Sequence, residues 1–195
     1  MEQTADRIRK EKDPRRWVRV GFELVEEVIL AVVIVVLIFA FVFRVVSVRG
    51  SSMQPNFYHN DRVVISGILY NIRQGDVVVV VNVLNDPIIK RVIATEGQTV
   101  DIDSAAGLVY VDGVALDEAL YTENGITRLP QSDSISFPQT VPDGCVFVLG
   151  DNRVVSQDSR YTSVGMVDAR NILGKVEFQI YPFDQIKRIA SPDSE

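Results

Sequence analysis

The sequence predicts a mainly β domain carried behind a single N-terminal transmembrane helix. Three observations predict it: an unbroken apolar run over residues 28–43, short β-branched segments punctuated by Gly, Asn, Asp and Pro after Pro55, and basic residues gathered ahead of the run. A helix that is apolar on every face leaves no side for water, which points to lipid. Short β-branched runs between turn residues read as strands. An excess of Lys and Arg before a span sets its N-terminus in the cytoplasm.

Residues 1–20 carry seven Lys/Arg against four Asp/Glu and no apolar periodicity, as expected of a solvated basic tail. Residues 21–48 are expected to form the anchor. As helix, residues 28–43 span roughly 24 Å and 28–48 roughly 32 Å, so a bilayer of about 30 Å is crossed with Arg44 snorkelling to the far interface. The run is long and no small-x-small site follows it, so it reads as an uncleaved anchor rather than a removed leader. The expected location is the cell membrane, single-pass, with residues 49–195 outside.

In that domain the expected strands are 63–66, 76–84, 88–94, 99–103, 108–111, 146–149 and 175–181, with Asp112-Gly113 as a tight turn leading into 114–116. Residues 121–140 are polar and irregular and read as a long loop or small insert. Residues 190–195 read as a frayed tail. The chain of 195 residues is 47% apolar, ample for one core.

Composition excludes several functions. Beyond residue 20 there are 13 Lys/Arg against 22 Asp/Glu, which leaves no basic face for nucleic acid. One cysteine, Cys145, excludes an internal disulfide and a Cys/His metal cluster, and reads as a core thiol. No metal or cofactor is expected.

The chemistry centres on Arg49-Gly50-Ser51-Ser52-Met53-Gln54-Pro55, where Ser52 is a candidate nucleophile. A serine hydroxyl needs a base to take its proton. The single histidine, His59, sits in Tyr58-His59-Asn60-Asp61, which reads as a surface turn. A lysine serves only when neutral, so its pKa near 10.4 must fall by roughly 2–3 units, and that takes apolar walls. Lys90 has them in Ile88-Ile89-Lys90-Arg91-Val92-Ile93. Strand alternation sends Ile88, Lys90 and Val92 to one face and Ile89, Arg91 and Ile93 to the other. The same Lys-Arg pair also fits an exposed edge or a salt-bridged strand. A third cluster, Gly150-Asp151-Asn152-Arg153-Val154-Val155-Ser156-Gln157-Asp158-Ser159-Arg160, fits a solvated loop or a set of bidentate Arg–Asp clamps beside a site, with a spare hydroxyl to hold an amine.

Taken in order, these stretches resemble the bacterial type I signal peptidases, membrane-anchored Ser-Lys proteases that cut secretory signal peptides. Ser52-Met53-Gln54-Pro55 is similar to the family's nucleophile box, Gly75-Asp76-Val77-Val78-Val79 to its Gly-Asp-hydrophobic strand, Lys90-Arg91-Val92-Ile93 to its Lys-Arg box, and residues 150–160 to its Gly-Asp-Asn-Arg-x-x-Ser-x-Asp-Ser-Arg motif. The resemblance runs from about residue 28 to about residue 180. It implies a twisted, largely antiparallel, barrel-like β fold with an insert, Ser52 as nucleophile and Lys90 as general base. It further implies Ser156 as the hydroxyl orienting the lysine amine, Arg91 with Asp151 and Asp158 with Arg160 as ion pairs shaping the site, and the Ser52 backbone N–H as oxyanion donor. Val46, Val48, Met53, Phe57 and Ile89 would line the substrate pockets. The implied partners are signal peptides of exported preproteins, with small residues at P1 and P3, and the lipid bilayer. Two departures stand out: Ala94-Thr95-Glu96-Gly97-Gln98 replaces the usual Gly-Leu-Pro-Gly-Asp, and Asn56-Phe57 replaces Thr-Leu. Gly50 also stands where some members carry a serine.

Overall fold

A computed structural model describes residues 14–67 and 71–189 of the chain. Most of the expected basic tail and the expected frayed end at 190–195 lie outside the described residues. The chain divides into two units, one ending at Val42 and the other beginning at Phe43.

The first unit is one helix, α1 (Pro14–Val42), of 29 residues. Its described side chains, residues 17–37, are all exposed, Leu30 and Phe22 included. Among the described residues no helix is long and apolar enough to cross a membrane. The apolar run of the sequence continues through residues 38–42, whose side chains lie outside those described.

The expected helix to residue 48 is corrected. It stops at Val42, and Phe43–Ser47 form strand β1, paired antiparallel with β2 (Arg62–Ser66) from Phe43 opposite Ser66 to Ser47 opposite Arg62. Phe, Val and Val fit a pleated surface as well as a helix, and no Gly or Pro marks the change. What decides is that β2 offers an edge for backbone pairing.

The second unit is mainly β and antiparallel in every strand pair, as expected. Its main sheet continues with β3 (Val77–Val80), β4 (Ile88–Thr95), β9 (Cys145–Leu149), β10 (Val167–Asp168), β11 (Ile172–Tyr181) and β12 (Lys187–Arg188). The order is β1-β2-β11-β3-β4-β9-β10, with β12 beside β11. A smaller sheet, order β7-β6-β5-β8, holds β5 (Thr99–Asp103), β6 (Leu108–Val111), β7 (Val114–Ala115) and β8 (Gln139–Thr140). The strand at 76–84 is shorter than expected, and β11 begins earlier, at Ile172. Asp112 and Gly113 both have positive φ, 52° and 79°, the conformation a two-residue hairpin demands. Most of residues 121–140 forms no regular element, as expected of a loop or insert.

Strands β3 and β4 lie at the centre, and all four residues of β3 are buried, as are residues 89–94 of β4. The apolar core divides into three clusters. One holds Val48, Met53, Phe57, Val63, Ile65, Val77, Val79, Ile89 and Val176. The second packs the remaining β3 and β4 valines against β9, and the third joins Ile93, Phe147 and Leu149 to the small sheet. Cys145 packs half-buried against this last cluster as a free thiol. After β4 the Thr95-Glu96-Gly97-Gln98 segment closes a turn in which Gln98 N donates to Thr95 O and Gly97 takes φ 81°.

Candidate active site

The segment carrying Ser52 is a closed loop. Val48 N donates to Asp61 O and Asn60 N to Val48 O, so its two ends are stitched together. Inside it, Phe57 N and Asn56 N both donate to Met53 O, while Met53 and Phe57 sink into the core at 1% exposure each. Burying two large side chains within five residues anchors the loop by roughly 1.5–3 kcal/mol apiece. Gly50 takes φ +83° with open space around its Cα, so glycine is required by backbone conformation and not by crowding. Its N–H donates to His59 Nδ1, 3.2 Å away, and His59 is exposed. The histidine therefore braces the start of the loop, as a turn residue would.

Ser52 is half-buried and its Oγ lies 2.9 Å from Lys90 Nζ. Lys90 stands in the middle of β4, directly opposite Val78 of β3, and is 2% exposed. Burial pulls its amine down to about 8 from an ordinary 10.5, against the upward pull of Asp158 and then Asp151; Arg160 adds to the lowering. Desolvation outweighs two nearby carboxylates because both are already committed to arginines.

Those commitments are bidentate. Arg91 donates through Nε and Nη2 to Asp151 at 2.8 and 2.7 Å, and its Nη1 reaches Gly75 O. Arg160 donates through Nε and Nη2 to Asp158 at 2.8 and 2.9 Å, and also to the carbonyls of Arg128 and Arg153. Asp158 further accepts from Gly150 N. With all four side chains buried, neither pair has water to compete for its hydrogen bonds.

The 150–160 loop touches the serine directly. Asn152 N donates to Ser52 O at 3.0 Å, and a Cβ added to Gly150 would come within 2.5 Å of that same oxygen and 2.2 Å of Ser156 Oγ. Ser156 is 1% exposed, but its Oγ makes no hydrogen bond, so the expected contact with the lysine amine is not formed in this structure. The hydroxyl lies packed beside Gly150, on the loop that touches Ser52. The proposed pocket residues are mostly interior. Val48, Met53, Phe57 and Ile89 fill one buried cluster, and Val46 alone of the five is half-buried, packed against it. Met53 and Phe57 belong to the loop, Val48 to its start and Ile89 to β4, and of the five only Val46 is more than slightly exposed.

Several contacts of the site were given no role from the sequence, and Tyr121, Glu118 and Thr127 were not singled out there. Asn56 Nδ2 donates both to Asp151 Oδ2 at 2.8 Å and to Tyr121 O at 2.6 Å. The Arg91 guanidinium lies 4.6 Å from the centre of the Tyr121 ring, and that of Arg153 lies 5.8 Å away. Arg153 also pairs with buried Glu118, which accepts from Thr127. Burial pushes the Tyr121 hydroxyl up to about 12. Arg153 stands in the 150–160 motif, but its partners do not, and Asn56 reaches residues 65 and 95 positions away.

The model of the family described as signal peptidase, peptidase S26, matches residues 21–181. A signal peptidase I of Bacillus licheniformis is 32% identical over 176 residues, covering 86% of this chain and 92% of its own. A signal peptidase IB of Staphylococcus aureus (strain Mu50 / ATCC 700699) is 32% identical over 191 residues, covering 88% and 97%. A crystal structure of a signal peptidase I from Enterococcus faecalis V583 is 30% identical and covers 55% of this chain and 97% of its own, with a TM-score of 0.42.

Proposed function

The chain belongs to the signal peptidase family, peptidase S26, and from that premise we propose that it cleaves signal peptides with a Ser52–Lys90 dyad, at the outer face of the membrane that α1 anchors it in. The observation that carries the dyad is the 2.9 Å approach of a buried amine to a half-buried hydroxyl. Neutral Lys90 takes the Ser52 proton as Oγ attacks the scissile carbonyl. The resulting ammonium returns that proton to the leaving amine, giving an acyl-enzyme and a new N-terminus. The lysine, neutral again, then takes a proton from the attacking water and hands it to Ser52 Oγ as the ester bond breaks, which releases the acyl group as a carboxylic acid and restores the serine and the neutral amine. The Ser52 backbone N–H is the proposed donor to the oxyanion.

The supporting groups hold this arrangement. Asp151 and Asp158 are clamped by arginines, so the amine keeps its low pKa beside two carboxylates. Ser156 is the hydroxyl proposed to orient the amine once a substrate is seated. Val46 is the member of the proposed pocket with surface to offer.

The anchor rests on the sequence and on the exposure of the helix. Fifteen residues of the apolar run, 28–42, sit in a helix whose described side chains are all exposed, an arrangement that water disfavours and lipid rewards. Ser52 follows ten residues after Val42 in the chain, a short tether that suits a substrate cut just past a membrane-embedded apolar segment.

The test is cleavage of a preprotein with an Ala-x-Ala site by full-length enzyme in detergent. Ser52→Ala and Lys90→Ala should each abolish cleavage, and His59→Ala should leave most of it. Turnover surviving in Lys90→Ala, or lost only in His59→Ala, would overturn the dyad.

A further inference from the structure

Asn56 joins the nucleophile loop to the Arg91–Asp151 pair and to the segment around residues 118–122. It is half-buried, and its backbone is fixed by the bond from its N–H to Met53 O. Both hydrogens of its side-chain amide are used, one on Asp151 Oδ2 and one on Tyr121 O. Asp151 Oδ2 is the same oxygen that accepts from Arg91 Nη2. The Tyr121 carbonyl belongs to the residue whose ring lies against Arg91. An amide is the one uncharged end group with two donors directed this way: a hydroxyl has one, and a carboxylate would repel Asp151.

We propose that Asn56 is a positioning residue for the reaction: it locks the Ser52 loop to the Arg91–Asp151 clamp and, through Tyr121, makes the 118–122 segment part of the frame that holds Ser52 on Lys90. This rests on the dyad proposed above. The loop is also held by the buried side chains of Met53 and Phe57, by the bond from Asn152 N to Ser52 O, and by bonds from Lys187 Nζ to Asn56 O and from Gln179 Nε2 to Asp61 Oδ2. None of these bonds ends on the carboxylate of Asp151, which shares the electrostatic surroundings of Lys90. Asn56 supplies that bond, and a misplacement of the hydroxyl by a fraction of its hydrogen-bond length is felt in the chemical step.

The experiment uses the full chain in detergent micelles with a fluorogenic Ala-x-Ala peptide. Asn56→Ala is expected to lower kcat by about 10- to 100-fold while KM stays within about threefold, because binding surface is kept and geometry is lost. In an Asp151→Asn background the same change should cost less than about threefold, since the partner it acts through is already altered. Asn56→Asp, which keeps the shape and sets a carboxylate against Asp151, should lose at least as much kcat as the alanine. Wild-type kcat in Asn56→Ala or Asn56→Asp, or an undiminished loss in the Asp151→Asn background, would overturn the assignment. Ser52→Ala and Lys90→Ala run alongside: activity in either defeats the dyad itself, whereas inactivity in both with an unaffected Asn56→Ala removes only the role given to Asn56.

Discussion

Lys90 Nζ lies 2.9 Å from Ser52 Oγ, and the lysine that makes this contact is almost wholly withdrawn from water. The proximity and the burial belong together: the same desolvation that makes the amine a base at moderate pH removes the water that would otherwise solvate its charge.

The first consequence is a pH profile. With the amine lowered to about 8, the neutral and reactive form accumulates as pH rises through that value. The expected kcat/KM on an Ala-x-Ala peptide climbs about tenfold per pH unit below pH 8 and levels off above it. A limb near pH 6.5 would point to histidine instead. Lys90→Arg should be inactive at every pH, because a guanidinium does not give up its proton.

A second consequence concerns stability. The Lys90 pKa is lower folded than unfolded, so between about 8 and 10.5 the unfolded chain binds a proton the folded one does not, and stability rises with pH across that window. Below pH 8 the folded state carries the full penalty, about 3 kcal/mol as an upper figure. Lys90→Met is therefore expected to be inactive yet more stable at pH 7 by about 1–3 kcal/mol in urea unfolding, with the gain shrinking toward pH 10. An equal gain at pH 7 and pH 10 would contradict this sign.

The third follows from crowding. A Cβ at Gly150 would meet Ser156 Oγ at 2.2 Å and Ser52 O at 2.5 Å, distances that no packed structure tolerates. The hydroxyl can rotate away, but the carbonyl is backbone, so Gly150→Ala must push on Ser52. Activity should fall by about 100-fold or more, with a loss of about 1–3 kcal/mol in stability. Ser156→Ala removes only the Oγ contact and leaves the Ser156 Cβ at 2.6 Å and the Ser52 carbonyl at 2.5 Å, so the double variant should stay impaired.

Much of this was legible beforehand. The β-branched runs marked the central strands, Asp112-Gly113 marked a hairpin turn, and the Ser52, Lys90 and 150–160 stretches resembled one family in order and spacing. The end of the helix was not legible, since Phe43 to Ser47 suit helix and strand alike until β2 offers its edge. Nor was the burial of Val48, Met53, Phe57 and Ile89, which depends on how strands far apart in the chain pack over one another.

By itself the sequence determined which groups were available: two adjacent serines in a glycine-started turn, one lysine inside an apolar strand, arginines and aspartates within one loop, and an apolar run ahead of them all. These are local properties, carried by composition and by spacing along the chain. Tertiary structure alone decided that the lysine amine reaches the serine hydroxyl, that Ser156 lies against Gly150, and that Asn56 bridges Asp151 and Tyr121. Those contacts join residues 38 to 95 positions apart, or meet through a loop folded back on itself, and only the pairing of β4 with β3 and β9 fixes where such side chains meet.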